Sequence, residues 1–273
     1  MKKIKPLTSV IFETTNICNL SCAMCPVNND MKRQKVIMDL GLFKKIIDDN
    51  PQLERVVLHN WGEPLLNPCI FEMIDHVPET VKEVLMTTNT TLFNDEIIDN
   101  LVKSNLTRIQ FSIDSVGREF EKIRGFSYEE VKSNILKFIE ANNKSGMKVW
   151  IVIVINEKTE NSVEAVKKEW AHLVDRVHFQ PQLLIKNKRT APCNCLWGRR
   201  YGELIVLSNG TIVPCCCDYE GILKLGDANT ERLIDIWNSE KMKTLRELHE
   251  KGQFPELCSN CNEYETVLAE KRF

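Results

Sequence analysis

The chain has 273 residues, of which 43% are hydrophobic and 27% are charged, and its formal net charge is -2. This is the composition of an ordinary globular protein, and the near-neutral charge gives no reason to expect nucleic acid or an anionic membrane as the main partner. The basic start (1–15) precedes no long apolar run, unlike a secretory signal. The longest apolar run, VWIVIVI (149–155), is too short to span a bilayer. We therefore expect a cytoplasmic protein with neither a membrane nor a nucleic-acid partner.

Strand-like and helix-like segments alternate through the first two-thirds of the chain. The expected strands are SVIFETT, RVVLHN, EVLMTTN, TRIQFSID, KVWIVIVI and RVHFQ. Several are apolar without alternation, which is typical of strands buried on both faces of a parallel sheet. Helical patterns lie between them at 40–49, 70–76, 95–104, 128–143 and 162–173, with Asn94 and Ser127 as suitable N-caps for the third and fourth. Six repeats predict an α/β fold, a partial (β/α)6 barrel with fewer units than the eight of a closed barrel.

The alternating pattern breaks near KNKRTAP (186–192). A hairpin-like unit follows, GELIVLSNGTIVPC, in which the NG pair between two β-rich runs is a strong turn signal. A helical stretch at 230–251 and the sequence CSNC come next. We therefore expect two domains, a barrel over residues 1–190 and a small hairpin-plus-helix domain over residues 191–273.

Eleven cysteines are many for a cytosolic chain of this size, and they are clustered. In a reducing compartment such clusters favour metal binding or catalysis over disulfides. Cys18, Cys22 and Cys25 follow the first expected strand directly, and the ends of barrel strands converge on the mouth where chemistry takes place. A closed zinc site would need a fourth ligand, whereas three thiolates would hold three irons of a [4Fe–4S] cluster and leave the fourth iron open. The spacing favours iron–sulfur, with zinc as the alternative.

The Cys-x3-Cys-x2-Cys spacing resembles the signature of the radical S-adenosylmethionine (SAM) superfamily, and further family motifs lie in order after it. WGEP (61–64) resembles the motif that holds the SAM amino group, although Trp61 stands where its first Gly usually lies. TTN (87–89), SID (112–114) and IRG (123–125) resemble other SAM-facing positions. The resemblance implies that SAM is bound by Gly62, Glu63, Asn89, Ser112 and Arg124. From the residues alone, Asn89 and Ser112 are equally well explained as turn or cap residues.

The resemblance also implies the chemistry. In this family SAM chelates the open iron, an electron from the cluster cleaves SAM to a 5′-deoxyadenosyl radical, and that radical takes a hydrogen atom from the substrate. An electron donor such as flavodoxin or ferredoxin would reduce the cluster.

The cysteines after residue 190 predict a second site. Cys195, Cys215, Cys258 and Cys261 would make a closed set of four ligands, whose spacing allows zinc or [4Fe–4S]. The surrounding NGTIVPC, KLGD and DIWNSEKMKTLRE resemble the cluster-bearing SPASM extension. Because no cysteine follows Cys261, the resemblance is to its shorter twitch form, which implies one auxiliary [4Fe–4S] cluster and therefore two clusters in all.

The run PCCCD leaves several roles open. Cys216 or Cys217 could replace Cys215 as a ligand, and a spare cysteine is either a buried apolar residue or a hydrogen donor to a substrate radical. Cys217 and Asp218 are the catalytic candidates, although an Asp before a turn is often a local cap. His59 is more often structural at such a position. Gln180 and Gln182 are candidate substrate contacts by position alone.

We expect a radical SAM oxidoreductase that takes a hydrogen atom from a polar small-molecule substrate and oxidises an alcohol of a cyclitol or sugar. The alternatives are an epimerase or peptide-modifying enzyme with a cysteine hydrogen donor, and a zinc-stabilised binding protein without catalysis. The short segment before the first strand weighs against binding of a peptide leader.

Overall fold

The computed structural model describes residues 3–143, 145–182, 189, 191–198 and 200–261. The strands in these residues are β1 (Leu7–Phe12), β2 (Arg55–Val57), β3 (Glu83–Thr88), β4 (Arg108–Ser112), β5 (Lys148–Ile155), β6 (Arg176–Pro181), β7 (Gly202–Val206), β8 (Thr211–Val213) and β9 (Gly226–Asp227). The helices are α1 (Leu40–Asp48), α2 (Ile70–His76), α3 (Asp95–Lys103), α4 (Gly117–Arg124), α5 (Tyr128–Asn142), α6 (Val163–Trp170), α7 (Leu233–Trp237), α8 (Glu240–Glu250) and α9 (Glu256–Ser259). In the described part of the chain no helix is long and apolar enough to cross a membrane.

The α/β class and the partial barrel are confirmed. Strands β1 to β6 are parallel neighbours in chain order, each expected helix is present, and Asn94 and Ser127 accept N-cap hydrogen bonds from the third residue of α3 and α5. Helix α4 was not predicted from the sequence, because it follows Val116 without a side-chain cap and therefore carries no start signal.

The hairpin after residue 200 continues the barrel sheet. Strand β7 pairs in parallel with β1, and β8 and β9 extend the sheet as antiparallel strands. A Cβ on Gly202 would lie 2.5 Å from the carbonyl oxygen of Pro6, so only glycine permits the approach of β7 to β1. The division into residues 1–190 and 191–273 stays a prediction, and the two parts share one sheet in the described residues.

The single helical stretch expected at 230–251 is wrong in detail. Asn238 lies outside both α7 and α8, and the hydroxyl of Ser239 accepts a hydrogen bond from the backbone N–H of Met242, which starts a new helix. A serine that caps a helix competes with continuation of the preceding one.

The inner face of the sheet is polar at both ends of the strands. At the amino ends, Arg55 lies 2.5 Å from Glu203 and 3.5 Å from Glu83, and Glu83 also pairs with Arg108. These charges occupy the end of the barrel opposite to the loops that carry the cysteines. The carboxyl ends of the strands therefore form the open end of the barrel, where a ligand can enter.

Candidate functional site

A cavity of about 540 Å³ lies at the carboxyl ends of the strands. Alternate residues of a strand point to the same face, and accordingly Gln110 and Ser112 of β4 and Val152 and Val154 of β5 line it. All the SAM-binding candidates and the first three cysteines also line it: Gly62, Glu63, Asn89, Ser112, Arg124, Cys18, Cys22 and Cys25. The structure therefore brings together residues that are up to about a hundred positions apart in the chain.

Two asparagines shape the loop that carries the first three cysteines. The side-chain amide of Asn28 donates to the carbonyl oxygens of Cys18 and Leu20, at 3.1 and 2.7 Å. The amide of Asn29 donates to the carbonyl oxygens of Cys22 and Cys25, at 3.1 and 2.6 Å. The backbone carbonyl of each cysteine is therefore occupied, and the loop has one defined shape around the three thiols.

The three thiols suit a cationic group. Burial raises the pKa of Cys18 and Cys22, and it raises the pKa of Cys25 to about 11. Thiolates at these positions therefore need a positive partner, and bound iron supplies one because a coordinating thiol loses its proton. In the described residues no three His, Cys, Asp or Glu side chains are grouped closely enough for a single metal ion.

Glu63 is fully enclosed and accepts hydrogen bonds from three donors. They are the hydroxyl of Thr88 at 2.7 Å, the backbone N–H of Asn89 at 2.8 Å and the backbone N–H of Leu65 at 3.2 Å. Burial is the largest influence on this carboxyl and raises its pKa to about 7, against the lowering effect of the three donors. A cation bound beside Glu63 would stabilise its ionised form.

Gly62 packs against the loop that leads to Cys18. Its φ is +89°, and a Cβ there would lie 2.3 Å from the carbonyl oxygen of Thr15. The next residue, Glu63, donates its backbone N–H to the carbonyl oxygen of Ile17 at 2.8 Å. Glycine is therefore required both for the conformation and for the close approach of the turn to the cysteine loop.

Asn89 and Arg124 lie on two other sides of the cavity. The amide nitrogen of Asn89 donates to Asn19 at 3.0 Å and lies 3.9 Å from the sulfur of Cys18. Arg124 pairs with the buried carboxylate of Asp114 at 2.5 Å, and that carboxylate also accepts the backbone N–H of Val154. Asp114 therefore holds the guanidinium group at the cavity wall.

A chain of hydrogen bonds fixes the orientation of three polar side chains in the cavity. Nδ1 of His59 accepts the backbone N–H of Thr87 at 3.0 Å, so the proton of the neutral ring lies on Nε2. Nε2 then donates to the hydroxyl of Thr87, which donates to Oε1 of Gln110, each at 2.9 Å. Burial lowers the pKa of His59 to about 3, helped by Arg55 and Arg108, so the ring stays neutral. His59 therefore acts as a structural group here.

The segment after β8 brings further residues to the cavity. Cys216, Cys217 and Tyr219 line it, as do Gln180 and Gln182. The carboxylate of Asp218 instead accepts the backbone N–H groups of Ile222 and Leu223, both at 2.7 Å. The structure thus places Asp218 as the cap of a turn, and its role as a catalytic residue stays a prediction.

The later cysteines form a second group of thiols. The sulfur of Cys217 lies 3.9 Å from that of Cys261. A hydrogen bond with Cys217 lowers the pKa of Cys215, but burial and the neighbouring thiols, Cys193 and Cys261 among them, raise it overall. Burial raises the pKa of Cys258, and Cys215, Cys193 and Cys261 add to this effect. The backbone N–H of Cys193 donates to Nδ1 of His249, at 3.2 Å, which fixes Cys193 against α8.

The sequence missed an ion pair that joins the two cysteine-bearing regions. Glu13 is completely buried, and Nη2 of Arg33 lies 2.8 Å from both of its carboxylate oxygens. Glu13 also accepts hydrogen bonds from the backbone N–H and the hydroxyl of Ser208, at 3.1 and 2.9 Å. A carboxylate placed directly after an apolar strand was the available signal, because such a charge is rarely buried without a partner.

Comparison with known proteins identifies both regions. Residues 12–169, more than half of the chain, match the radical SAM superfamily, and residues 193–262 match an iron–sulfur cluster-binding domain, SPASM. The S-adenosyl-L-methionine-dependent 2-deoxy-scyllo-inosamine dehydrogenase of Niallia circulans is 20% identical over 265 residues, 94% of each chain. The tungsten-containing aldehyde ferredoxin oxidoreductase cofactor-modifying protein of Pyrococcus furiosus is 32% identical over 105 residues, 37% of this chain and only 29% of that protein.

Solved structures share the fold. BtrN in complex with AdoMet and 2-DOIA has a TM-score of 0.67 at 17% identity, with 95% of this chain and 94% of that chain covered. Streptococcus suis SuiB bound to precursor peptide SuiA has a TM-score of 0.70 at 15% identity, with 88% and 66% covered. At these identities the likeness shows the fold alone.

The matched families account for the chemistry of both cysteine groups. A radical SAM region followed by a SPASM region implies SAM and two iron–sulfur clusters as cofactors. The alternative of a zinc-stabilised protein without catalysis is therefore wrong. From the cavity, the thiols that line it and the family match over residues 12–169, we conclude that this chain belongs to the radical SAM superfamily of enzymes.

Proposed function

We propose that this radical SAM enzyme is an oxidoreductase that oxidises an alcohol carbon of a polar small molecule, such as a cyclitol or a sugar. The observation that carries the proposal is the lining of the cavity outside the SAM-binding candidates. There the lining presents amide and hydroxyl groups, those of Asn60, Thr87, Gln110, Gln180 and Gln182, together with the carboxylates of Asp30 and of Asp114, which is paired with Arg124. A hydroxylated molecule matches the amide and hydroxyl groups. The match to a cyclitol dehydrogenase along 94% of both chains supports the same substrate class.

The lining of the cavity supports a set of proposed cofactor contacts. Cys18, Cys22 and Cys25 would hold the first cluster, Glu63 would accept from the SAM ammonium group, and Arg124 would donate to the SAM carboxylate. Gly62, Asn89 and Ser112 would complete the wall around SAM. SAM and the first cluster, when bound, would supply a carbon radical that removes a hydrogen atom from the substrate. The auxiliary cluster would supply an acceptor for the second electron.

The chain's own residues position these groups. Asn28 and Asn29 fix the cysteine loop, Asp114 holds Arg124, and the Thr87 hydroxyl occupies Oε1 of Gln110. The amide nitrogen of Gln110 is then the part of that side chain left for an acceptor oxygen of the substrate. An external one-electron donor such as flavodoxin or ferredoxin is also part of the proposal.

A second candidate function is epimerisation or peptide modification with a cysteine hydrogen donor. The placement of Cys216 and Cys217 on the cavity wall favours it, because a thiol there could return a hydrogen atom to a substrate radical. The structural likeness to SuiB supports a shared fold and does not decide between the two reactions.

The reaction is tested by incubating the reconstituted enzyme with SAM and aminocyclitols, including 2-deoxy-scyllo-inosamine, that carry deuterium on one alcohol carbon. We expect deuterium in 5′-deoxyadenosine and a ketone product, because the carbon is oxidised by loss of a hydrogen atom, then of one electron to the auxiliary cluster and of the hydroxyl proton to solvent. Parallel reactions in deuterated water should leave the product carbon unlabelled. An epimer with solvent deuterium at that carbon, lost in the Cys217→Ala variant, would instead support the second candidate.

Glu63→Gln is expected to weaken SAM binding by roughly ten- to a hundredfold. A hydrogen bond to a charged group contributes about 1.5–3 kcal/mol, and the new amide would also point a donor at one of the three donors around it. Equilibrium binding of SAM to the loaded protein measures the change, with iron content as a check on the cluster. Glu54→Gln, at an exposed pair with Lys82, is the control. Equal SAM affinity in both variants would place Glu63 outside the SAM site.

Cys193 is a neighbour of both Cys215 and Cys258, and we propose it as the fourth auxiliary ligand beside Cys215, Cys258 and Cys261, where spacing predicts Cys195. Cys193→Ala should therefore lower the iron content from about eight to about four per chain, while Cys195→Ala should keep about eight. Iron and sulfide analysis of the two anaerobically reconstituted variants measures this. Loss of iron in Cys195→Ala with full content in Cys193→Ala would restore the spacing-based assignment.

A further inference from the structure

We propose that Trp61 is a positioning residue that fixes the cluster-bearing 215–223 loop over the cavity. The inference rests on the cofactors of the family and holds whichever substrate the enzyme takes. It concerns the one position of the WGEP motif at which this chain departs from the pattern of the family.

Two contacts join Trp61 to the 215–223 loop. Its indole N–H donates to the carbonyl oxygen of Cys216 at 2.9 Å. Its ring meets the ring of Tyr219 edge-on, with centroids 5.7 Å apart and planes at 75°. Such aromatic pairs contribute beyond the area that they bury. Trp61 therefore holds the carbonyl group that lies between Cys215 and Cys217.

The turn that carries Trp61 is itself anchored on the first cysteine loop. Gly62 packs against the backbone of Thr15 and Ile17. Glu63 donates its backbone N–H to the carbonyl oxygen of Ile17, and its carboxylate accepts the backbone N–H of Asn89. The Trp61 side chain extends from this fixed turn to Cys216. A glycine at residue 61 would keep the turn and lose the connection, because it has no side chain to reach the loop.

Internal hydrogen bonds join the parts of the 215–223 loop, so that the loop can move as one unit. The backbone N–H of Asp218 donates to the carbonyl of Cys215, and the Asp218 carboxylate accepts from Ile222 and Leu223. Arg33 and Lys32 also join the loop to the barrel, through Tyr219 and Glu220. The hydrogen bond of Trp61 differs from those of Arg33 and Lys32 because its acceptor, Cys216, lies between two other cysteines. It therefore sets the distance between the auxiliary thiols and the SAM-binding turn.

The test compares Trp61→Phe, Trp61→Gly and Trp237→Phe in the holoenzyme, without substrate. Trp237 is a matched control, since it is buried and its indole N–H also donates to a backbone carbonyl, that of Lys5 at 3.2 Å. Hydrogen exchange of the 215–223 amides is measured by mass spectrometry. We expect about two- to tenfold faster exchange in Trp61→Phe, the change that follows from loss of one neutral hydrogen bond. Trp61→Gly should exchange faster still, and Trp237→Phe should match the wild type in this segment.

Contacts other than that of Trp61 can limit hydrogen exchange of the 215–223 amides, so a second measurement is needed. The reduction potential of the auxiliary cluster depends on its exposure to solvent, and Trp61→Gly should shift it while the first cluster keeps its response to SAM. Wild-type exchange in 215–223 together with an unchanged auxiliary potential in both Trp61 variants would overturn the proposal. Loss of the SAM response in Trp61→Phe would also overturn it, because Trp61 would then act through the SAM-binding turn. None of these readouts depends on the oxidation reaction.

Discussion

The buried ion pair between Glu13 and Arg33 is the interaction on which the arrangement of the site depends. Glu13 directly follows the first strand, Arg33 lies in the segment after the first three cysteines, and Ser208 belongs to the hairpin that leads to the later cysteines. Arg33 also donates to the carbonyl of Tyr219. Removing one partner of such a pair leaves an uncompensated buried charge, at a cost of about 3–5 kcal/mol. The two cysteine-bearing regions therefore share this buried anchor, to which Trp61 and Lys32 add further contacts.

This anchor explains why one cavity serves two groups of thiols. The parallel strands bring Glu63, Asn89 and Arg124 to one wall, and the pairing of β7 with β1 brings Cys216 and Cys217 to another. The hydrogen-bonded groups of His59, Thr87 and Gln110 line the same cavity. Positioning and exclusion of water are the tasks that a protein performs for a cofactor of this kind.

The fold class, the N-caps and the hairpin turn could be predicted from local signals, because hydrophobic patterns, cap chemistry and turn chemistry act over a few residues. Long-range pairings were beyond such signals. The residues near Gly202 do not indicate that β7 will pair with β1. The residues near Glu13 likewise do not indicate that Arg33 will be its partner. Cys193 and Cys195 are two positions apart, and the spacing-based choice of Cys195 as a ligand stays a prediction. The hydrogen bond from the backbone of Cys193 to His249 of a distant helix is another pairing that spacing does not reveal.

We propose that three thiolates leave one iron of the first cluster open for SAM, whereas protein ligands hold all four irons of the auxiliary cluster. Mössbauer spectroscopy of the ⁵⁷Fe-reconstituted chain, recorded with and without SAM, tests this difference. We expect about eight irons per chain in two [4Fe–4S] clusters, of which a single iron site changes its signal when SAM is added. A spectrum that SAM leaves unchanged, or a chain that binds only one cluster, would contradict it.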